Sequence, residues 1–221
     1  MRQYEMRSLS TAKMIIDILI LSGAYLLGSI PSAVWIGKAA KGVDVREHGS
    51  KNAGATNTMR VLGVKTGIPV LLIDVVKGFA AVKLALLSPA FATGTNAFVN
   101  FQLALGAAAV LGHVFPVFAG FRGGKGVATI VGILLALHWQ ATVAAIVVFF
   151  ITLFIGKIVS LSSLMMGLSY PFSVIFIFKT DSISLKIFAV VIPILLIITH
   201  RKNISRLLNG KEGKATFLFK E

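Results

Sequence analysis

Two apolar runs of this chain are separated by Gly120-Phe121-Arg122-Gly123-Gly124-Lys125-Gly126, which combines flexible backbone with two cations. Glycine lacks a Cβ atom, so the backbone N–H groups of such a segment can turn toward one point. A helix that starts directly after the segment adds partial positive charge there. The segment predicts a site for a phosphate-like anion at a membrane surface, although a plain glycine-rich turn between membrane helices would have a similar composition.

The segment differs from the phosphate-binding loop of nucleotide hydrolases. In that loop a hydroxyl residue follows the lysine and holds magnesium, whereas Gly126 follows Lys125 here. The spacing from Gly120 to Gly124 is also one residue short. The chain has no cysteine, which excludes a cysteine-ligated metal site and a thiolate nucleophile. We therefore predict neither a metal nor a cofactor.

The composition is that of an integral membrane protein, with 56% hydrophobic residues, 14% charged residues and a mean hydropathy of +0.87. We predict an all-α polytopic bundle of about seven spans, or five if short segments merge, because a straight span needs roughly 20 residues. The predicted organisation is an N-terminal extension at 1–13, one transmembrane catalytic domain at 14–200 and a basic cytoplasmic tail at 201–221. The apolar spans lie near 14–37, 67–87, 99–118, 127–140, 141–158, 164–179 and 184–199.

Four polar segments interrupt or follow these spans: the first island (42–63), the second island (120–126), the third island (157–163) and the tail (201–221). With seven spans, all four fall on one membrane face together with most of the basic residues. The positive-inside rule then places this face in the cytoplasm and the N-terminus outside. The net charge of +14 is explained by topology and anionic lipids, without nucleic acid. The fewer cations of the opposite face are Arg2, Arg7, Lys13, Lys179 and Lys186.

Several features of the sequence place polar groups near or inside the membrane. The first island alternates Ser, Asn and Thr with Gly and Ala, which is typical of a loop that lines a pocket. His200 and Asn203 have the i, i+3 spacing that would place them on one face of a continuing helix. Asp74 and Lys77 share that spacing inside the second span, where we predict a structural ion pair. His113, beside Pro116, is expected to be a hydrogen-bonded packing residue.

Several motifs in order resemble the bacterial acyl-phosphate:glycerol-3-phosphate acyltransferases, and the resemblance covers nearly the whole chain. The second, third and last motifs contain Gly123-Gly124-Lys125-Gly126, Val159-Ser160-Leu161 and His200-Arg201. The first motif is Gly49-Ser50-Lys51-Asn52-Ala53-Gly54-Ala55-Thr56-Asn57 with Arg60 and Gly63. Two departures are small: Ser162 stands where alanine is expected, and about ten residues precede the usual start.

The resemblance implies transfer of a fatty acyl group from acyl phosphate to the 1-hydroxyl of sn-glycerol 3-phosphate, giving lysophosphatidic acid and phosphate at a bacterial inner membrane. The partners would be these two substrates and membrane lipids. By similarity, the active-site positions are Ser50, Arg60, Lys125, His200 and Asn203. The substrate-binding positions are Lys51, Asn52, Asn57, Gly123, Gly124, Gly126 and Ser163.

The residue chemistry is consistent with this reaction. Two phosphorylated substrates require several cations and directional donors, which Lys125, Arg60 and Lys51 can supply together with glycine amides. Acyl phosphate is an activated anhydride, so no covalent enzyme nucleophile is required. His200 is the best side-chain candidate for a general base, but we hypothesise that a substrate phosphate oxygen accepts the proton and that protein groups position it. An organic-phosphate transporter and a lipid-binding structural protein are the alternative functions. Secondary transporters usually have repeated halves, and this sequence shows no such repeat.

Overall fold

The computed structural model describes the backbone of residues 2–219 and the side chains of residues 10–219, and this part of the chain contains no strand. The predicted all-α class is therefore confirmed. The side chains of Arg2 and Arg7, and residue Lys220, lie outside the described residues. The helices are α1 (Arg2–Gly28), α2 (Ser32–Lys41), α3 (Ala55–Leu62), α4 (Val64–Lys83), α5 (Asn96–Val114), α6 (Val127–Gly156), α7 (Val159–Phe172), α8 (Ile183–Thr199) and α9 (Arg201–Leu208).

Several helices are long and apolar enough to cross a bilayer. In the described part of the chain there are four such segments, and a fifth if α8 and α9, which are bent by 68° at their junction, form one broken span. The count of seven spans and the orientation of the termini remain predictions. The predicted boundary at residue 13 lies inside α1, which is continuous there. The four apolar segments are Ser10–Gly28, Asn96–Ala119, Val127–Gly156 and Val159–Ile177.

Helix α6 is bent at His138, whose backbone is not helical (φ −154°, ψ 81°). A straight helix of this length would separate its ends by about 45 Å. The residues that flank it, Lys125 and Ser160, are instead connected through Asn203 and Glu212 by three side-chain contacts. The helix must therefore bend back sharply, and its two arms correspond to the short predicted segments at 127–140 and 141–158.

The predicted span at 14–37 is interrupted between α1 and α2, where a buried ion pair from α4 reaches the freed backbone. Lys77 Nζ lies 2.8 Å from Asp74 Oδ1 and donates to the carbonyl oxygen of Ile30 at 2.8 Å. Ser32 Oγ donates to the same Asp74 oxygen at 2.7 Å. Both charged side chains are at most 4% exposed, so each needs the other inside the bundle. The predicted structural pair is confirmed.

His113 of α5 completes this buried polar cluster, which we define as Ser32, Asp74, Lys77, His113 and Thr129. Its Nδ1 atom lies 3.1 Å from Thr129 Oγ1 of α6 and 3.7 Å from Asp74 Oδ1. The imidazole is 6% exposed. It thus has the hydrogen-bonded packing role expected from the sequence, and it connects α5 with α4 and α6.

Among the described residues, α4 and α6 make the most extensive contact between helices, and Gly132 lies within this contact. A Cβ atom on Gly132 would overlap the carbonyl oxygen of Val75 and lie 2.9 Å from the nitrogen of Phe79. Small residues allow such close backbone approach in membrane bundles. The first arm of α6, which follows the second island directly, is therefore held against α4.

Gly132→Ala is expected to lower the free energy of unfolding by about 1–3 kcal/mol, because α6 must move away from α4. Gly23→Ala is the matched control, since a Cβ at Gly23 of α1 meets its nearest atom, Leu84 Cδ1, at 3.8 Å. Thermal unfolding in detergent compares the two variants. Equal midpoints would contradict the close approach.

Candidate active site

The four polar segments meet at one end of the bundle, as the charge pattern predicts. Arg46 of the first island contacts the backbone around the second island, and Lys125 of the second island contacts Asn203 of the tail. Ser160 of the third island donates to Glu212 of the tail at 2.7 Å. These contacts bring together residues from widely separated parts of the chain. They define the candidate active site.

The first island is organised by Asn57, which is 1% exposed. Its Oδ1 atom accepts from the backbone nitrogen of Ser50 at 2.8 Å, and its Nδ2 atom donates to the carbonyls of Val45 (2.7 Å) and His48 (3.1 Å). The Asn57 amide thus holds the loop that carries Ser50. These contacts support a positioning role for Asn57. Binding of substrate by Asn57 stays a prediction.

Arg46 connects the first island with the second. Its guanidinium donates to both carboxylate oxygens of Asp44, at 3.0 and 2.8 Å, and to the carbonyls of Ala119 (2.8 Å) and Arg122 (3.3 Å). The hydrogen bond from Arg46 lowers the pKa of Asp44 to about 2, against a smaller opposing effect of burial. Asp44 is therefore an anchoring carboxylate.

The glycines of the second island differ in detail from the predicted anion cradle. The N–H groups of Gly123 and Gly124 donate to the carbonyls of Val114 (3.2 Å) and His113 (3.1 Å), so neither is free to bind an anion. A Cβ on Gly124 would overlap His113 Nε2, which explains the need for glycine there. Gly126, at φ 81°, directly precedes α6. Among the described residues, the amides of Lys125, Gly126 and the first turn of α6 have no backbone partner, and these are left for an anion.

A second polar cluster joins the second island, the third island and the tail. We call it the tail cluster: Lys125, Ser160, Asn203, Arg206 and Glu212. Lys125 Nζ donates to Asn203 Oδ1, and Asn203 Nδ2 donates to Glu212 Oε1 at 2.5 Å. Arg206 Nε donates to Glu212 Oε2 at 2.6 Å. The Glu212 carboxylate thus lies among donors, and its side chain is 8% exposed.

The electrostatics of this cluster favour an anion. Burial lowers the pKa of Lys125 to about 8, and the nearby charges of Arg206 and Arg60 act in the same direction, whereas Glu212 opposes them. Burial raises the pKa of Glu212, but hydrogen bonds from Asn203, Arg206 and Ser160 outweigh it and lower the value overall. The described cations around Lys125 outnumber the single carboxylate. A bound dianion would reduce their mutual repulsion.

The remaining predicted residues are three in the first island and Ser163 in α7. Ser50 and Lys51 are exposed, Asn52 is half-buried, and Lys51 has left-handed backbone (φ 59°). Ser163 is 2% exposed and donates to Val159 of its own helix at 2.9 Å, so Ser160 is the third-island hydroxyl that reaches the tail cluster. Their contacts with substrates remain predictions. Among the described residues, no group of three acidic or histidine side chains is arranged to hold a metal ion.

His200 and Asn203 are both buried, but the helix does not continue through them as predicted. It breaks at His200, where α8 and α9 are bent by 68°. His200 Nδ1 lies 2.9 Å from the carbonyl oxygen of Leu196, and this oxygen can only accept, so Nδ1 carries the hydrogen. In the neutral ring, Nε2 is then the nitrogen that can accept a hydrogen bond.

Exposed aromatic side chains surround the same end of the bundle. Trp35 lies 6.4 Å from Phe118 between ring centroids, and both side chains are 51% exposed. Phe115 and Phe121, at 54% and 59% exposure, lie just before and inside the second island. Aromatic rings are enriched where a bilayer meets water. This aromatic rim indicates that the site lies at the depth of the lipid headgroups.

Sequence comparison places these residues within a known family. The family model described as glycerol-3-phosphate acyltransferase matches residues 18–210. A protein of that name from Fusobacterium nucleatum is 45% identical over 194 residues, covering 87% of this chain and 95% of the relative. A protein of the same name from Bacillus subtilis is 45% identical over 205 residues, covering 93% of this chain and 100% of the relative.

Two solved structures of PlsY, an integral membrane glycerol 3-phosphate acyltransferase, are similar to this chain. The glycerol 3-phosphate form has a TM-score of 0.80 and 37% identity, and covers 90% of this chain and 94% of that chain. The lysophosphatidic acid form has a TM-score of 0.80 and 36% identity, and covers 92% of this chain and 99% of that chain.

Sequence reasoning did not identify the role of Glu212, which lies nine residues beyond Asn203. We expect Glu212→Gln to speed tryptic cleavage after Lys211 and Lys214 by about five-fold or more, because Arg206 loses its charged partner and the tail opens. Glu47→Gln replaces an exposed carboxylate of the first island and is the control. A time course of digestion in detergent measures both. Unchanged cleavage of the Glu212 variant would contradict the anchoring role.

Proposed function

This chain belongs to the glycerol-3-phosphate acyltransferase family, and from that premise we propose that it transfers a fatty acyl group from acyl phosphate to the 1-hydroxyl of sn-glycerol 3-phosphate. The products would be lysophosphatidic acid and inorganic phosphate. We also propose that it acts in a bacterial inner membrane with its site facing the cytoplasm. The concentration of described basic residues at the site end of the bundle supports this orientation.

The observation that carries the proposal is the convergence of cations in the tail cluster. Lys125 and Arg206 lie around one carboxylate, and Arg60 is close enough to affect the pKa of Lys125. Both proposed substrates carry a phosphate group. The cations of the site must therefore balance the negative charge of these phosphates in addition to that of Glu212. A transporter of organic phosphates could use similar cations, but the family to which this chain belongs is one of acyltransferases.

The chemistry requires positioning more than a reactive protein group. The 1-hydroxyl oxygen of the acceptor attacks the carbonyl carbon of acyl phosphate, and the bond from that carbon to the phosphate oxygen breaks. The hydroxyl proton then goes to a phosphate oxygen. Lys125 and the start of α6 would stabilise the leaving phosphate, while Ser50 and Arg60 would hold phosphorylated substrate from the first island.

His200 is placed to assist this reaction as a hydrogen-bond partner. Its Nδ1 hydrogen is directed to the Leu196 carbonyl, which leaves Nε2 to accept from the acceptor hydroxyl or from another donor in the site. Asn203 contacts Lys125 directly and would orient the ammonium group. We propose that His200 and Asn203 orient the reacting groups while a substrate phosphate oxygen takes the proton.

The first test is phosphate release by the purified protein in detergent, with palmitoyl phosphate as donor. We expect release that depends on glycerol 3-phosphate, a lysophosphatidate product, and a loss of at least about a hundred-fold in kcat/KM for Lys125→Ala, since a buried charged contact to phosphate is removed. Lys186→Ala, a change in α8, is the control. Well-folded protein that releases no phosphate with acceptor would overturn the proposal.

The lowered pKa of Lys125 predicts the alkaline side of the pH profile. Lysine is charged below its pKa of about 8 and neutral above it, so kcat/KM for the acceptor should fall about ten-fold per pH unit above pH 8. The acceptor phosphate is fully ionised above about pH 7 and does not interfere. Lys125→Arg stays charged and should move this decline to higher pH, even if its maximum is lower.

Two results would contradict parts of this account. A decline at the same pH in Lys125→Arg would assign the titration to another group. An acidic limb that disappears in His200→Gln, with the remaining profile unchanged, would make His200 the general base in place of a substrate phosphate.

A further inference from the structure

Arg60 has an unusual environment for a side chain that is proposed to bind phosphate. It lies in the last turn of α3, it is exposed, and its guanidinium carbon is 5.7 Å from the centroid of the Phe217 ring. Within the described part of the chain, no hydrogen bond or ion pair is observed for this guanidinium. Its N–H donors are therefore available to a ligand, and the aromatic ring is what the structure shows in contact with it.

Phe217 belongs to the end of the tail, beyond the residues matched by the family model. It lies in the short 3₁₀ turn Thr216–Leu218, directly after Ala215. Ala215 is fully buried, and its N–H donates to the carbonyl of Lys157 at 2.7 Å. Together with the Glu212 contacts, this bond fixes the backbone on both sides of residues 213 and 214. The position of the Phe217 ring is therefore set by the docked tail.

An aromatic face beside a guanidinium restricts where the charged group can move. A free arginine on a protein surface samples many rotamers, and this freedom is lost when it binds a ligand. A ring that attracts the cation already selects part of these conformations before the ligand arrives. A guanidinium that stacks on a ring presents its planar face to the ring and keeps the N–H groups at its edge for an anion.

We propose that Phe217 is a positioning residue that holds Arg60 for the phosphate group of the acceptor. This inference rests on the proposed function of the site. It adds a segment outside the matched family region to the substrate-binding structure. The tail then contributes to acceptor affinity through the Phe217 ring as well as closing the tail cluster through Glu212.

The test measures binding and turnover of glycerol 3-phosphate separately. Phe217→Ala should raise the dissociation constant and KM for glycerol 3-phosphate about two- to five-fold, the effect of one exposed cation–π contact, with kcat and the KM for palmitoyl phosphate nearly unchanged. Phe217→Tyr keeps the ring and should restore the wild-type values. Leu218→Ala alters an exposed neighbour in the same turn and is the matched control. Binding is followed by thermal stabilisation with glycerol 3-phosphate in detergent.

The Arg60→Ala background shows whether Phe217 acts through Arg60. In that background, Phe217→Ala should cause no further loss of affinity, because the group it positions is absent. An additional loss of the same size, or equal affinities for wild type and Phe217→Ala, would overturn the inference. The binding measurement decides this even if the wild-type protein releases no phosphate, an outcome that would overturn the proposed function alone.

Discussion

The buried pair of Asp74 and Lys77 is the interaction on which the rest of this structure depends. A charged side chain inside a membrane bundle must be compensated, and here each ion compensates the other within one helix. Lys77 also donates to the carbonyl of Ile30, between α1 and α2, and Asp74 accepts from the hydroxyl of Ser32 at the start of α2. The bond from Lys77 satisfies the Ile30 carbonyl where the first membrane helix breaks, whereas the neighbouring Ser29 hydroxyl is buried without a partner among the described residues. This break allows α2 and the first island to leave the axis of α1 and approach the second island.

The site itself is assembled from loops that stabilise one another. Arg46 reaches from the first island to the backbone of the second, Asn57 holds the loop of Ser50, and Glu212 collects donors from the third island and the tail. Each of these side chains uses a charged or amide group to hold backbone or another side chain. Among the described residues, the Arg60 guanidinium and the first amides of α6 have no such contact, and they face substrate in the proposed reaction together with Lys125, which also contacts Asn203. Structural and substrate-binding roles are thus divided among neighbouring polar residues.

Much of this arrangement could be predicted from sequence, because membrane helices and their charged ends follow strong physical rules. The all-α membrane class, the Asp74–Lys77 pair and the gathering of polar islands at one end were predicted correctly, whereas the count of seven spans stays a prediction. The contacts of individual side chains were not, since they depend on tertiary geometry: Asp44 is bound by Arg46, and the amides of Gly123 and Gly124 pair with α5. The bend at His200 was missed because His200 and Asn203 have a spacing that suits an unbroken helix. Glu212 lies in a tail whose composition resembles an ordinary basic segment.

The aromatic rim affects how substrates enter the site and how the product leaves it. Exposed aromatic rings such as Trp35 and Phe118 favour a location of the polar islands at the boundary between water and hydrocarbon. One proposed substrate dissolves in water, whereas the other and the product each join an ionic head to a long chain. Such amphiphiles need not be extracted from the bilayer: they can diffuse in and out sideways, with the chain remaining among lipid tails throughout. A site at this depth can therefore release new lipid directly into the leaflet beside it.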